Sequence, residues 1–336
     1  MRSQRLCLQL GILMACIMLV QPVTAGQVVK KTERDWARQA LANEAALDTA
    51  GIPDNSISVL YFTNIGTDPA LDVLQKGLTF MLITDLAKID RLRVVERVKL
   101  QALLDEMRLG ASDIVDTASA SRMGRFLGAR FLVGGEISGG SDGGGPVNEA
   151  ALRRALSAGI RVEPVLVDVP DHEKQSLPAV DGWLDQLFKL EKTLLFAIVD
   201  QLDIKLSESE KAILREPLAL DERAAFYFFM GLNASDHEMY DAAGGYYEKA
   251  LTRDERMQPA IDALAELRQL GLYAAMKRPM SPLWSIRNRT SLTSSVIPAD
   301  AVRRMRTPAD VERHESLTAV VPKSGSTRFP SFATGM

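Results

Sequence analysis

Chemistry in a protein needs reactive side chains at workable spacing, and this sequence offers few. Its three histidines, His172, His237 and His314, are scattered, and none has the spacing of a metal-ligand set. His172, between Asp171 and Glu173, reads as a solvated turn; His237 falls between two helical stretches and His314 near the C-terminus. No serine occupies the Gly-x-Ser-x-Gly setting that exposes a nucleophile on a strand-to-helix turn. The glycine-dense run from Gly139 to Pro146 invites a phosphate-loop reading. That chemistry needs Gly-Lys-Ser/Thr running into a helix, so that amides and the lysine reach phosphate oxygens. The run has no lysine, and Asp142 would repel phosphate, so a surface loop is expected. On this inventory no catalytic residue, cofactor site or metal site is expected, and the chain reads as a binding or assembly protein rather than an enzyme.

Both cysteines, Cys7 and Cys16, lie in a segment with the three parts of an export signal. Arg2 and Arg5 supply positive charge, Leu6 to Val20 is almost wholly apolar, and Val23-Thr24-Ala25 places small residues before a cut at Gly26. Cleavage there removes residues 1–25 and leaves a mature chain without thiols or disulfides. Two other readings stay open. An uncleaved segment would be a membrane anchor, although about 15 apolar residues fall short of the roughly 20 a spanning helix needs. Leu13-Met14-Ala15-Cys16 loosely resembles a lipidation site, although Met14 and the apolar residues after Cys16 fit it poorly.

Processing leaves about 310 residues, enough for two domains. The net charge of −3 gives no reason to expect nucleic acid or another polyanion as partner. The charge is uneven: from Lys277 onward ten basic residues face four acidic ones, so the remainder is acidic.

Residues 26–51 read as a polar, alanine-rich leader helix. An α/β domain is expected over 52–216. Ile57 to Phe62 is apolar enough for a buried strand. Asp68 as N-cap and Pro69 at the first helical position open a helix, with Leu71, Leu74, Leu78, Met81, Leu82 and Leu86 on its buried face. Leu92 to Val95 is a short strand. Val98 to Met107 is a helix closed by Gly110, and Thr117 to Leu127 another, stopped at Gly128. Phe131 to Ile137 is the next strand, and 148–157 a short helix. Ile160 to Val169 is a strand whose Pro164 implies an edge or a bulge, with a partner strand after Pro170-Asp171. A helix is expected from Gly182 to Leu202, with Trp183, Leu187, Leu190, Leu194, Leu195, Ile198 and Leu202 as its apolar stripe packing on the sheet. Ser207 to Glu210 opens a short helix that Pro217 ends. The fold class is α/β: a layered domain with a small sheet flanked by helices, followed by an all-α segment and a disordered tail.

Helices at 222–234, 236–252 and 258–275 make up that all-α segment, residues 221–276. The first two resemble one tetratricopeptide repeat. Tyr227, Gly231, Tyr240, Ala243, Tyr247 and Ala250 are its candidate packing or interaction residues, because small residues let antiparallel helices approach while tyrosines fill the groove. Ala234 and Glu255 depart from the repeat, where an aromatic and a proline are usual. One repeat does not stand alone, so the segment leans on the α/β domain or on a partner. Residues 277–336, rich in proline, serine and threonine, read as the largely disordered tail; Arg303-Arg304-Met305-Arg306 is a basic cluster within it.

Four stretches carry a family resemblance: Ile57 to Asn64, Arg91 to Arg97, Leu103 to Gly110 and Ala120 to Glu136. Together, over roughly 52–215, they resemble the curli production assembly/transport component family, and beyond it flagellar outer-membrane and Tol-type amino-terminal domains. The resemblance implies a bacterial envelope location, with the mature chain periplasmic and outer-membrane attachment open. The resulting expectation is a non-catalytic assembly or scaffold protein whose α/β domain and helical repeat contact envelope proteins, with homo-oligomerisation open. The alternative is a subunit of an outer-membrane secretion channel of the curli type. A channel needs two pairs of membrane-crossing strands of about 9–11 alternating residues, which the sequence does not display.

Overall fold

The computed structural model describes residues 27–47, 49, 51–109, 117–140 and 149–274. The export segment with Cys16, Gly110, the centre of the glycine-rich loop, His314 and the tail lie outside these residues, with the readings made of them.

The elements follow in chain order. Helix α1 (Lys31–Ala42) and a 3-10 turn (Glu44–Ala46) come first. Then follow β1 (Ser56–Val59), β2 (Thr63–Asn64), α2 (Pro69–Leu86), β3 (Arg93–Val94), α3 (Arg97–Met107), α4 (Thr117–Leu127), β4 (Phe131–Gly139) and α5 (Glu149–Leu156). Next are β5 (Gly159–Asp168), β6 (Glu173–Ser176), β7 (Val180–Trp183), α6 (Leu187–Gln201) and α7 (Glu208–Leu214). Helices α8 (Glu222–Asp236), α9 (Tyr240–Arg253) and α10 (Gln258–Gln269) close the series. A mixed sheet flanked by helices, with a helical region after it, is the α/β class read from the sequence.

The sheet order is β3-β1-β4-β5-β6, with β2 continuing beside β4 and β7 beside β5. Strand β1 runs parallel to β3 and β4, and β4 and β5 pair antiparallel from Phe131↔Asp168 to Gly139↔Ile160. The expected strand Ile57 to Phe62 is divided: β1 and β2 pair with successive parts of β4, and Leu60 to Phe62 link them.

Strands β6 and β7 form one interrupted edge. Val162 pairs with Val180 and Val165 with Ser176, so Leu177-Pro178-Ala179 stand opposite Glu163-Pro164. One extra residue on the outer strand is a β-bulge. Pro164 therefore lies in an inner strand, where the outer ladder is broken, and not at the edge.

The long helix expected from Gly182 starts later. Val180 to Trp183 is strand, residues 184–186 form a 3-10 turn, and α6 begins at Leu187. Trp183 leaves the buried stripe and is 54% exposed. Gly182 makes the transition workable, since a Cβ there would meet Leu190 Cδ1 at 2.9 Å. Helix α3 ends at Arg108, which adopts the left-handed conformation at φ 55°; the expected stop at Gly110 falls outside the described residues.

Alternation along β4 and β5 divides the sheet into two faces. Ile57, Val59, Val133, Ile137, Ile160, Val162 and Leu166 join the stripes of α2 and α6 in the larger core. Leu132, Val167 and Val169 pack with α3 and α4 in a smaller one. This second layer covers only half of its face: Val167 is buried, whereas Arg161 and Glu163, on the same side of β5, are exposed.

Adjacent glycines in β4 test this geometry. Gly135 has φ 145°, and a Cβ there would lie 2.2 Å from the Glu163 carbonyl oxygen. Gly134 faces open space, with Leu60 Cβ at 3.5 Å. Urea denaturation should show Gly135→Ala destabilised by about 2 kcal/mol or more. Gly134→Ala should stay within about 0.5 kcal/mol of the parent, the usual range for substitutions away from special features.

Candidate functional site

Arg97, the first residue of α3, is a guanidinium with 1% side-chain exposure, and its partner Asp236, the last residue of α8, is equally buried. Arg97 Nη1 donates to both carboxylate oxygens at 3.0 and 2.8 Å, and to the Tyr61 hydroxyl at 3.1 Å. Nη2 donates to the Gln27 carbonyl at 3.0 Å. Tyr61 Oη donates on to Gln101 Oε1 at 2.8 Å, and Lys76 Nζ of α2 reaches Asp236 Oδ2 at 2.8 Å. Burial pulls the Arg97 pKa down, but the charge and hydrogen bonds of Asp236 lead the effects that outweigh it, so the net shift is upward and the group stays cationic. Burial also raises the Tyr61 pKa, so its hydroxyl remains a neutral donor.

This junction fastens the helical segment to the α/β layers, and aromatic packing completes it. Phe228 of α8 meets Phe80 of α2 edge-on at 4.8 Å between centroids. A Cβ on Gly77 would lie 2.3 Å from the Phe229 ring, so the ring of α8 rests directly on the backbone of α2.

The repeat residues lie at this same packing. Gly231 is covered by Tyr247, whose Cε1 would stand 2.3 Å from an added Cβ. Ala243, Tyr247 and Ala250 are fully buried, Tyr227 is nearly so, and Tyr240 is half-buried. Ala234, where the repeat usually has an aromatic, is buried as well. The face of α8 away from α9 packs on α2 of the same chain, and among the described residues Gly231, Ala243, Tyr247 and Ala250 line no open groove. Arg97, Asp236 and Lys76 were missed because each reads alone as an ordinary surface charge.

His172 and His237 form no site among the described residues. His172 Nδ1 lies 3.0 Å from Ser121 Oγ, but Ser121 is buried in α4, and a nucleophile there could not meet a substrate. His237 caps α8 and bonds the Asn233 carbonyl at 2.7 Å. Among the described residues no group of three or more His, Cys, Asp or Glu could hold a metal ion, and no helix is long and apolar enough to cross a membrane.

The open half of the second sheet face holds the other candidate. A cleft of about 320 Å³ lies over the middle of β4 and β5. Leu60, Leu132, Val165 and Val167 form its floor, and Glu136, Glu163 and Lys174 its rim. Glu136 and Glu163 are directly opposed across the two strands. Arg161 binds Glu163 at 2.8 Å and Asp181 at 2.9 Å. Glu136 and Lys174 have no ion pair among the described residues. Beyond the rim the same face carries Ile65 and Trp183, both more than half exposed.

A second charge cluster joins α2 to α6. Lys192 bonds Asp85, and lies 3.1 Å from Glu191; Lys88 reaches Asp85 at 2.6 Å. Burial, followed by the negative charge of Asp85, pushes Glu191 up to about 8.

Residues 48–143 match the family model described as "Curli production assembly/transport component CsgG". No curated protein matches the chain. Among solved structures, the C-terminal domain of LpoB from Salmonella enterica aligns at 17% identity and a TM-score of 0.24, over 44% of this chain and 96% of that one. Lipoprotein GNA1162 from Neisseria meningitidis aligns at 17% identity and a TM-score of 0.26, over 45% of this chain and 99% of that one.

Two stability measurements follow. Removing one partner of a buried ion pair strands the other, so Asp236→Ala should cost about 3–5 kcal/mol in urea denaturation. The double variant Arg97→Met/Asp236→Leu should cost clearly less than that single change. The second concerns Glu191. Its folded value exceeds its unfolded one, so the folded state binds the extra proton. Its contribution is full below about pH 4.5 and lost as pH rises towards about 8. Glu191→Gln should flatten the fall in melting temperature between those limits and gain on the order of 2 kcal/mol over the parent at pH 8.5.

Proposed function

We propose that this protein is a non-catalytic assembly or scaffold protein of the bacterial cell envelope, exported and processed before Gly26. It would work in the periplasm and bind a protein partner on the uncovered half of its sheet. The family match over residues 48–143 supports the envelope setting, and the export signal read at residues 1–25 supports the compartment. The open sheet face carries the binding assignment. It combines an apolar cleft with charge of both signs on its rim, Glu136 and Lys174, neither in an ion pair among the described residues, and an exposed apolar patch rimmed by polar groups marks an interaction site.

Of the two roles its repeat pattern left open, packing and partner contact, the helical segment is assigned packing. Tyr227, Gly231, Ala243, Tyr247 and Ala250 pack α8, α9 and α2 together. Partner contact is therefore assigned to the sheet, and the repeat is assigned the role of bracing α2 beneath it.

Photo-crosslinking in intact envelopes tests the reading. A photoreactive residue at position 136 or 183 should give a discrete higher-mass product, and one at Lys31 on α1 should not. Gly134→Leu fills the cleft from a position with room for a side chain. It should remove the product while the melting temperature changes by less than about 2 °C, equivalent to under roughly 1 kcal/mol. Equal crosslinking at all three positions would reject the sheet face as the partner site. Detergent-extracted rings of this chain alone would favour the secretion-channel alternative.

A further inference from the structure

The sheet ends on one side at β3 and on the other at the interrupted line of β6 and β7. An edge strand carries a row of backbone groups without partners, and these can pair with another chain. Strand β3 spans two residues and offers little length. Strand β6 spans four residues, all of them exposed.

Register decides which backbone groups of β6 are free. The Leu177 N–H donates to the Pro164 carbonyl at 3.0 Å, and Val165 faces Ser176 in the adjoining pair. Hydrogen-bonded and non-bonded pairs alternate along an antiparallel ladder. Glu173 and Gln175 therefore bond inward, to Asp168 and Leu166, whereas Lys174 and Ser176 direct their N–H and C=O groups away from the sheet. Among the described residues no hydrogen bond reaches those outward groups. Gln201 of α6 touches Gln175, whose side chain lies on the opposite face from its two neighbours. The side chains of Lys174 and Ser176 line the cleft of the open face. Free main chain and cleft-lining side chains thus belong to the same two residues. The bulge from Leu177 to Ala179 ends this free stretch.

We propose that the partner adds a strand to β6: an extended segment with an acidic residue opposite Lys174 and a large apolar residue opposite Ser176. Its main chain completes the ladder at those two residues. The period of two places both named side chains on the open face. Lys174 has no ion pair among the described residues, and a carboxylate directly across from it makes a favourable cross-strand pair. Ser176 is short and faces Val165, which is half-buried on the cleft floor. A longer apolar side chain on the new strand leans over Ser176 onto that floor. The inference rests on the sheet-face reading above and deepens it. The main chain at the edge holds the segment, and the rest of the partner extends over the cleft.

The test uses the full chain in intact envelopes, with the photoreactive residue at position 183. Ser176→Pro removes an outward N–H, a change an edge strand tolerates, and should lower the crosslinked product by about ten-fold or more. Ser176→Thr keeps that N–H and should leave the product within about two-fold of the parent. Lys174→Glu keeps every backbone group, reverses the charge, and should also lower the product by about ten-fold or more. These three variants should melt within about 2 °C of the parent, and Gln175→Pro, which removes an inward N–H, about 4 °C or more below it. The partner peptide in the product should carry Asp or Glu two residues from a large apolar residue. Undiminished product with either Ser176→Pro or Lys174→Glu overturns the added strand; it leaves the sheet face standing where Gly134→Leu still removes the product. A product of two copies of this chain, or a link within one copy, overturns the partner segment as the occupant. Ser176→Pro melting as low as Gln175→Pro overturns the assignment of the outward groups.

Discussion

A guanidinium sealed from water keeps its charge, so the groups around Arg97 have to be arranged to meet it. Losing the proton is not open to it, and an unpaired cation in the interior costs several kcal/mol. Asp236 supplies the countercharge from the end of α8, Gln27 a carbonyl from the start of the described chain, and Tyr61 a hydroxyl from the link between β1 and β2. These three groups come from parts of the sequence that no local rule brings together. Lys76 then shares Asp236 from α2, so the position of one side chain fixes four elements relative to one another.

That arrangement changes what the helical segment is. The Phe80–Phe228 contact and the close passage of Gly77 under Phe229 merge α8 into the core of the α/β layers. In repeat arrays the concave surface is where partners lie; here α2 occupies the corresponding face. A single repeat that could not be stable alone gains its stability from this burial. The same packing buries Tyr227 and Tyr247. The surface left open lies instead across the sheet, where α3 and α4 stop short.

Local signals were legible where one element decides its own form. Asp68 and Pro69 open α2 as their chemistry requires, Ser207 and Glu210 form the reciprocal cap of α7, and the leucine stripe of α2 is buried throughout. The fold class followed from strands alternating with helices. Legibility failed where two signals overlapped or where the cause was distant. Val180 to Trp183 is too short to show strand alternation, and Trp183 falls in phase with the leucines after it, so the helix was extended backwards over a strand. Of the two settings that Pro164 implied, the bulge is the one found, because β6 and β7 leave a gap opposite that residue. Arg97 carried no signal: within Arg91 to Arg97 it is one arginine among three, and only a carboxylate 139 residues away distinguishes it.

The pattern on the open face argues for an occupant from electrostatics alone. Like charges directly opposed on neighbouring strands are destabilising, and Glu136 and Glu163 are such a pair. Arg161 offsets one of them, but it is already shared between Glu163 and Asp181. The remaining cation, Lys174, stands on β6, two strands from Glu136, with the cleft between them. A sheet built only for stability would place a threonine or a lysine opposite Glu163. A second carboxylate there, beside an apolar cleft and across from Lys174, which has no ion pair among the described residues, suits the partner contact proposed above. A protein segment with an apolar side chain between a cation and an anion meets all three features at once, and the charges would fix its direction along the strands.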